Sequence, residues 1–192
     1  MTRDYSALEH QPLSHGARVA SPPPPTRLTP ESPAIEAMTD LRRVAASTIA
    51  TDRTIEECNA LMLARGIRLL FVEDAQGRVL GVITATDLLG EKPVRFMQER
   101  GLRRHEILVS DLMTPASALE ALDLQAVAHA QVGHIVATLK RAGRQHTFVT
   151  DEGGRRICGM FSATHIARRL GIEVSTHEVA ASFAQIEAAL AR

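Results

Sequence analysis

Two stretches decide the architecture: Val79-Leu-Gly-Val-Ile-Thr-Ala-Thr-Asp87 and Ile157-Cys-Gly-Met-Phe-Ser-Ala-Thr-His165. Each begins with strand-forming apolar residues around a glycine. Each then reaches a hydroxyl residue, Ala-Thr and a polar side chain, the pattern of a strand running into a helix start near Thr86 or Thr164. Two copies in one chain indicate an internal repeat, which constrains the fold more than any single element.

Upstream of each stretch lies a short strand-like run, Leu69–Glu73 and His146–Thr150, joined to it by an Asp/Gly turn. That is a hairpin pattern. Before the hairpin each copy carries helical periodicity. Thr54 and Glu57 have capping-box spacing, Ile55, Cys58, Leu61 and Met62 recur on one face, and Gly66 stops the helix. In the second copy Val132, Ile135, Val136 and Leu139 form the stripe and Gly143 the stop. Val44–Ala50 and Leu119–Val127 supply a first strand. The order is βαββα, twice. One such unit is too small to bury both faces of its sheet, but two packed together can. The expected fold class is therefore α+β: tandem βαββα repeats packed sheet to sheet as one module, at residues 37–90 and 108–171.

The flanks differ in composition. Residues 1–36 contain Ser21-Pro-Pro-Pro-Pro25, Pro30 and Pro33, and read as a flexible or extended leader, with a proline-recognition ligand as the alternative. The connector, 91–107, has a helical stretch at Pro93–Gly101 and is basic at Arg100, Arg103, Arg104 and His105. It reads as a solvated face, or alternatively as a phosphate- or nucleic-acid-facing patch. Residues 172–192 read as an amphipathic helix, with Ser175 and Glu178 as a capping box and Val179, Phe183, Ile186 and Leu190 as its stripe.

The chain has 192 residues, 45% hydrophobic and only 3% aromatic, so its core must be aliphatic. Formal net charge is zero, which argues against general nucleic-acid binding. Cys58 and Cys158 have no histidine at metal spacing and read as buried, reduced thiols of a cytoplasmic protein. No stretch approaches the roughly 20 apolar residues of a membrane span, and no signal-peptide pattern opens the chain. P-loop, H-E-x-x-H and Cys-x-x-Cys patterns are absent. His129, His134, His146 and His165 read as solvated or core histidines, and no nucleophile and base can be assigned. The expectation is a protein that is not an enzyme and needs neither metal nor cofactor.

Gly81-Val-Ile-Thr-Ala-Thr-Asp87, in its repeated helix–Gly–strand–turn–strand setting, resembles the CBS domain first named from cystathionine β-synthase. That pattern is Gly, two apolar residues, Thr or Ser, two variable residues, then Asp. The resemblance covers residues 38 to 171. It implies a CBS-domain pair, or Bateman module, that binds an adenosine-containing regulatory ligand (AMP, ADP, ATP or NAD), forms a homodimer and signals to an unidentified downstream protein. No nucleic-acid or membrane partner is expected.

The residues suit that chemistry. Thr84 and Thr86 offer hydroxyls, with helix-start N–H groups, to a phosphate. Asp87 can accept from both ribose hydroxyls; the competing role for Thr86 or Asp87 is capping the helix. By family alignment Arg68 and Arg144 enter the same cleft, Arg144 toward a phosphate or toward solvent. The second copy keeps Ser162 and Thr164 but replaces Asp with His165, facing Ser47 and Ile67. A neutral imidazole has a single acceptor, so this site is expected to be weaker, empty or tuned to another ligand. Protonated His165 would attract phosphate below about pH 6.5. His165, and Phe71 where the family often has Pro, keep open a second reading: a structural dimerisation protein with a degenerate site.

Overall fold

The computed structural model describes residues 6–21, 27–172 and 185–186. After a 3-10 turn at Ala34–Ala37 come β1 (Thr39–Asp40), β2 (Thr48–Ala50), α1 (Ile55–Arg65), β3 (Leu69–Glu73), β4 (Val79–Thr84) and α2 (Ala85–Leu89). The connector holds α3 (Lys92–Arg100). Then follow α4 (Val109–Leu112), β5 (Thr114–Pro115), β6 (Ala121–Asp123), α5 (Leu124–Ala128), α6 (Val132–Ala142), β7 (His146–Asp151), β8 (Arg156–Ser162) and α7 (Ala163–Arg169).

The local reasons are those expected. Thr54 Oγ1 accepts the Glu57 N–H at 3.2 Å, and Glu57 accepts the Thr54 N–H at 2.8 Å. Gly66 and Gly143 close α1 and α6 in the left-handed region, at φ +63 and +60. In each repeat the first strand runs parallel to the second, and the hairpin is antiparallel with a bulge at the same place, after Val72 and after Val149.

The sheets are not closed within their repeats. Their orders are β2-β3-β4-β5 and β1-β8-β7-β6. Thus β5, which leads into the second repeat, joins the first sheet, and β1, which leads into the first, joins the second. Each exchange strand crosses its host at the motif glycine: Gly81 faces Pro115 and Gly159 faces Asp40. A Cβ on Gly81 would stand 2.3 Å from the Thr114 carbonyl oxygen, and one on Gly159 would stand 2.4 Å from Met38 Sδ. The glycine of the repeated pattern is therefore explained by the close approach of a strand from the other half.

Residue alternation gives both sheets two buried faces. Leu70, Val72 and Ile83 join Ile55, Cys58 and Met62 under the first repeat's helices, while Val149, Cys158 and Phe161 join Ile135, Val136 and Leu139 under the second's. The opposite faces meet: Leu69, Phe71, Val82 and Phe148 form a third cluster between the sheets, with the Phe71 and Phe148 rings 5.4 Å apart. This is the expected sheet-to-sheet module.

The leader ends earlier than its prolines suggest. Leu28, Ala34 and Ala37 are buried in the second repeat's core. Ser32 and Pro30 carbonyls accept the N–H groups of Val132 and Gly133 at 2.9 and 2.8 Å, which supplies partners to donors that a helix start leaves open. Packed chain therefore includes Leu28 to Ala37, where a leader through residue 36 is expected. At the other end Gln185 and Ile186 are helical and Ile186 is fully buried. Ser175, Glu178, Val179, Phe183 and Leu190 lie outside the described residues. Both cysteines are buried and unpaired, and burial pushes the Cys58 thiol up to about 11. No helix among the described residues is long and apolar enough to cross a membrane.

Candidate functional site

The face-to-face packing leaves two clefts between the repeats, of about 320 and 340 Å³, within the size range of small-molecule sites. The first is walled by Thr84, Thr86 and Asp87 at the β4–α2 junction, by Arg68 before β3, and by Arg144 before β7. The second is walled by Ser162, Thr164 and His165 at the β8–α7 junction, with Ser47 and Ile67 opposite. All ten residues expected from the sequence therefore lie on these walls, Arg68 on both and the other nine divided between the clefts.

In the first cleft Asp87 is 8% exposed and already engaged. Its Oδ2 accepts the Thr84 N–H at 2.8 Å and the Thr84 hydroxyl at 2.6 Å, while Thr84 Oγ1 accepts the Asp87 N–H at 3.3 Å. Lys92 Nζ donates to Oδ1. A carboxylate has about four acceptor directions; three are taken, leaving one on Oδ1. The sequence suggested room for two ribose hydroxyls, but with Lys92 in place there is room for one. Thr84, not Thr86 or Asp87, is the helix N-cap; Asp87 completes a reciprocal box. Thr86 is exposed, with its side chain free to meet a ligand. Arg144 Nη2 donates to the Ala118 carbonyl at 2.9 Å, so it is tied to the cleft rim rather than directed to solvent or to the middle of the cleft.

The second cleft has only half of that box. Ser162 Oγ accepts the His165 N–H at 3.4 Å, and the imidazole takes no carboxylate's place on the strand end. Burial, then the charges of Arg169 and Arg168, hold the His165 pKa below the usual imidazole value. Its protonation therefore needs a pH below the expected 6.5, which weakens the idea of a phosphate-attracting cation at mild acidity. Arg168, one helical turn after His165, and Arg68 are the cations on the wall of this cleft. Ser47 Oγ accepts from Arg65 Nη1 at 3.2 Å.

Arg68, Leu69, Gln145 and His146 line both clefts. His146 occupies the β7 position equivalent to Leu69 on β3: Leu69 pairs with Thr84, and His146 with Ser162. Burial, then the Arg68 charge, pull its pKa down to about 4, so it is neutral near pH 7. The other histidines are dispersed. His134 Nδ1 accepts the Gln131 N–H at 3.0 Å as part of the α6 start, and His129 Nδ1 bonds the Gln125 carbonyl at 2.8 Å. Among the described residues no three His, Cys, Asp or Glu side chains converge as a metal site would require.

The clefts are also walled by residues the sequence pattern does not point to, His146, Gln145, Arg168, and Thr39 and Thr114 from the exchange strands, while Lys92 reaches Asp87 from the start of α3. The exchange strands did carry a signal, since Met38-Thr39 and Met113-Thr114 recur ahead of the two repeats.

Comparison with known proteins bears on the fold. Residues 18–93 match the family model of the CBS domain. No curated protein matches the chain. An uncharacterized conserved protein from Pyrococcus horikoshii superposes with a TM-score of 0.56 at 19% identity, over 78% of this chain and 99% of that one. A CBS-domain containing protein from Agrobacterium tumefaciens gives 0.51 at 23% identity, over 67% and 93%. CBSX2 of Arabidopsis thaliana, in a structure containing AMP, gives 0.50 at 17% identity, over 71% and 94%.

Proposed function

We propose that this chain, whose residues 18–93 match the CBS-domain family model, is a paired CBS module, non-catalytic and regulatory, that binds an adenosine-containing nucleotide. The ligand class is AMP, ADP, ATP or NAD, and the principal site is the cleft holding Asp87. The observation that carries this reading is the convergence of Thr84, Thr86, Asp87 and Arg68 on one cleft between the repeats. The hydroxyls suit a phosphate, the carboxylate suits a ribose, and the apolar Leu69 and Val82 on the same wall suit a base. The AMP in the structure of CBSX2 supports the ligand class.

The His165 cleft binds more weakly or serves another ligand, because it has no carboxylate for a diol. Occupancy acts by changing the packing between repeats or between the subunits of a homodimer in the cytoplasm, and a separate protein reads that change. Such coupling requires the ligand to prefer one arrangement over another. The second reading, a structural dimerisation protein with a degenerate site, is favoured by the capping box and Lys92 that already occupy Asp87. Titration calorimetry with AMP, ADP, ATP and NAD separates the two. Saturable binding near one site per chain, lost in Asp87→Ala, supports the sensor; no heat with any of them supports the structural protein.

A further inference from the structure

The ion pair between Lys92 and Asp87 has one fixed and one movable partner. Asp87 is held by the Thr84 N–H and hydroxyl, and its side chain is 11% exposed. The Lys92 side chain is 54% exposed, at the start of α3, and a lysine ammonium on its flexible stem re-orients readily. A ribose diol presents two donors, but Asp87 has one acceptor direction left while Lys92 is seated. Full engagement of the diol therefore requires Lys92 to leave Oδ1. The departing ammonium then needs a new anion. A nucleoside brings none, whereas a nucleotide brings a phosphate into the same cleft.

We propose that Lys92 is a specificity-determining residue that selects phosphorylated over unphosphorylated adenosine ligands, closing on Asp87 in the free protein and transferring to the phosphate when a nucleotide binds. This rests on the reading of the Asp87 cleft as an adenosine-ligand site. It differs from a merely structural ion pair in one respect: removing Lys92 must act oppositely on the two ligands.

The test is calorimetric titration of the full chain and of its Lys92→Met and Lys92→Arg variants with AMP and with adenosine. Thermal unfolding establishes that each variant is folded. The wild-type protein is expected to prefer AMP. In Lys92→Met, AMP affinity falls about tenfold or more with loss of a charge-assisted bond, adenosine affinity holds or rises, and the preference collapses. Lys92→Arg, which keeps the charge, retains most of it. Parallel losses for both ligands in Lys92→Met, or an unchanged preference, would overturn the proposal while leaving the cleft as the ligand site. Failure of both ligands to bind the wild-type protein would overturn the site and this proposal together.

Discussion

Replacing His146 by Leu, the residue at the equivalent Leu69 position, should remove an acid-sensitive element from the centre of the module. In the unfolded chain an imidazole titrates near pH 6.5, while burial between the sheets and the adjacent Arg68 charge bring His146 down to about 4. The folded state thus binds this proton less tightly than the unfolded state does. Its stability is complete above about pH 6.5, declines as pH falls through the window between the two values, and reaches its full loss below about pH 4. The full difference is worth about 3 kcal/mol, and about 2 kcal/mol of it should be lost by pH 5. Urea unfolding of wild type and His146→Leu at pH 7.5 and pH 5.0 measures it. Between those pH values the variant should lose about 2 kcal/mol less stability than wild type. Other groups whose titration differs between the folded and unfolded chain, such as His165 and Asp151, cancel in the comparison. An identical pH dependence in the two proteins would refute the reasoning.

Three further outcomes follow from contacts. Gly81→Ala should destabilise by about 1–3 kcal/mol, because the new methyl meets the backbone oxygen of Thr114. Gly159→Ala should cost less, because it meets the flexible Met38 side chain, and unfolding midpoints compare the two. Phe148→Ala should cost about 3–5 kcal/mol by emptying the contact with Phe71 between the sheets, again read from unfolding midpoints. Asp87→Ala should abolish most nucleotide affinity and also cost about 1 kcal/mol through the lost reciprocal half of the capping box, whereas His165→Ala should change affinity little; equal calorimetric losses in both variants would contradict the unequal-site account.

The repeats were legible in the sequence because their determinants are local. Thr54 to Gly66 carries its own start, stripe and stop, and the hairpins carry an alternation that places Leu69 and Phe71 opposite to Leu70 and Val72. Once the registers are fixed, the motif residues have only the clefts to line. The exchange strands were not legible as strands. Thr39–Asp40 and Thr114–Pro115 are two residues each, too short for periodicity, and their partners lie in the other half of the chain. Lys92 was hidden for a different reason: its role depends on α3 folding back to the β4–α2 junction, whereas the connector's charges alone describe a solvated face. The double use of Asp87 is written in Thr84-Ala-Thr-Asp87, but capping-box spacing and the family's ligand pattern coincide there, so the residues alone do not separate them. Leu28 and Ala34 were obscured by neighbouring prolines, although a small repeat with an aliphatic core gains from any apolar segment that covers it.

The most direct test of the central claim is calorimetric titration of the purified chain with AMP, ADP, ATP and NAD at neutral pH, alongside Asp87→Ala shown to be folded at the same temperature. The account predicts saturable binding of at least one of them, near one site per chain and lost in the folded variant. Absence of heat and of any thermal shift with all four, or binding that survives in Asp87→Ala, would contradict it.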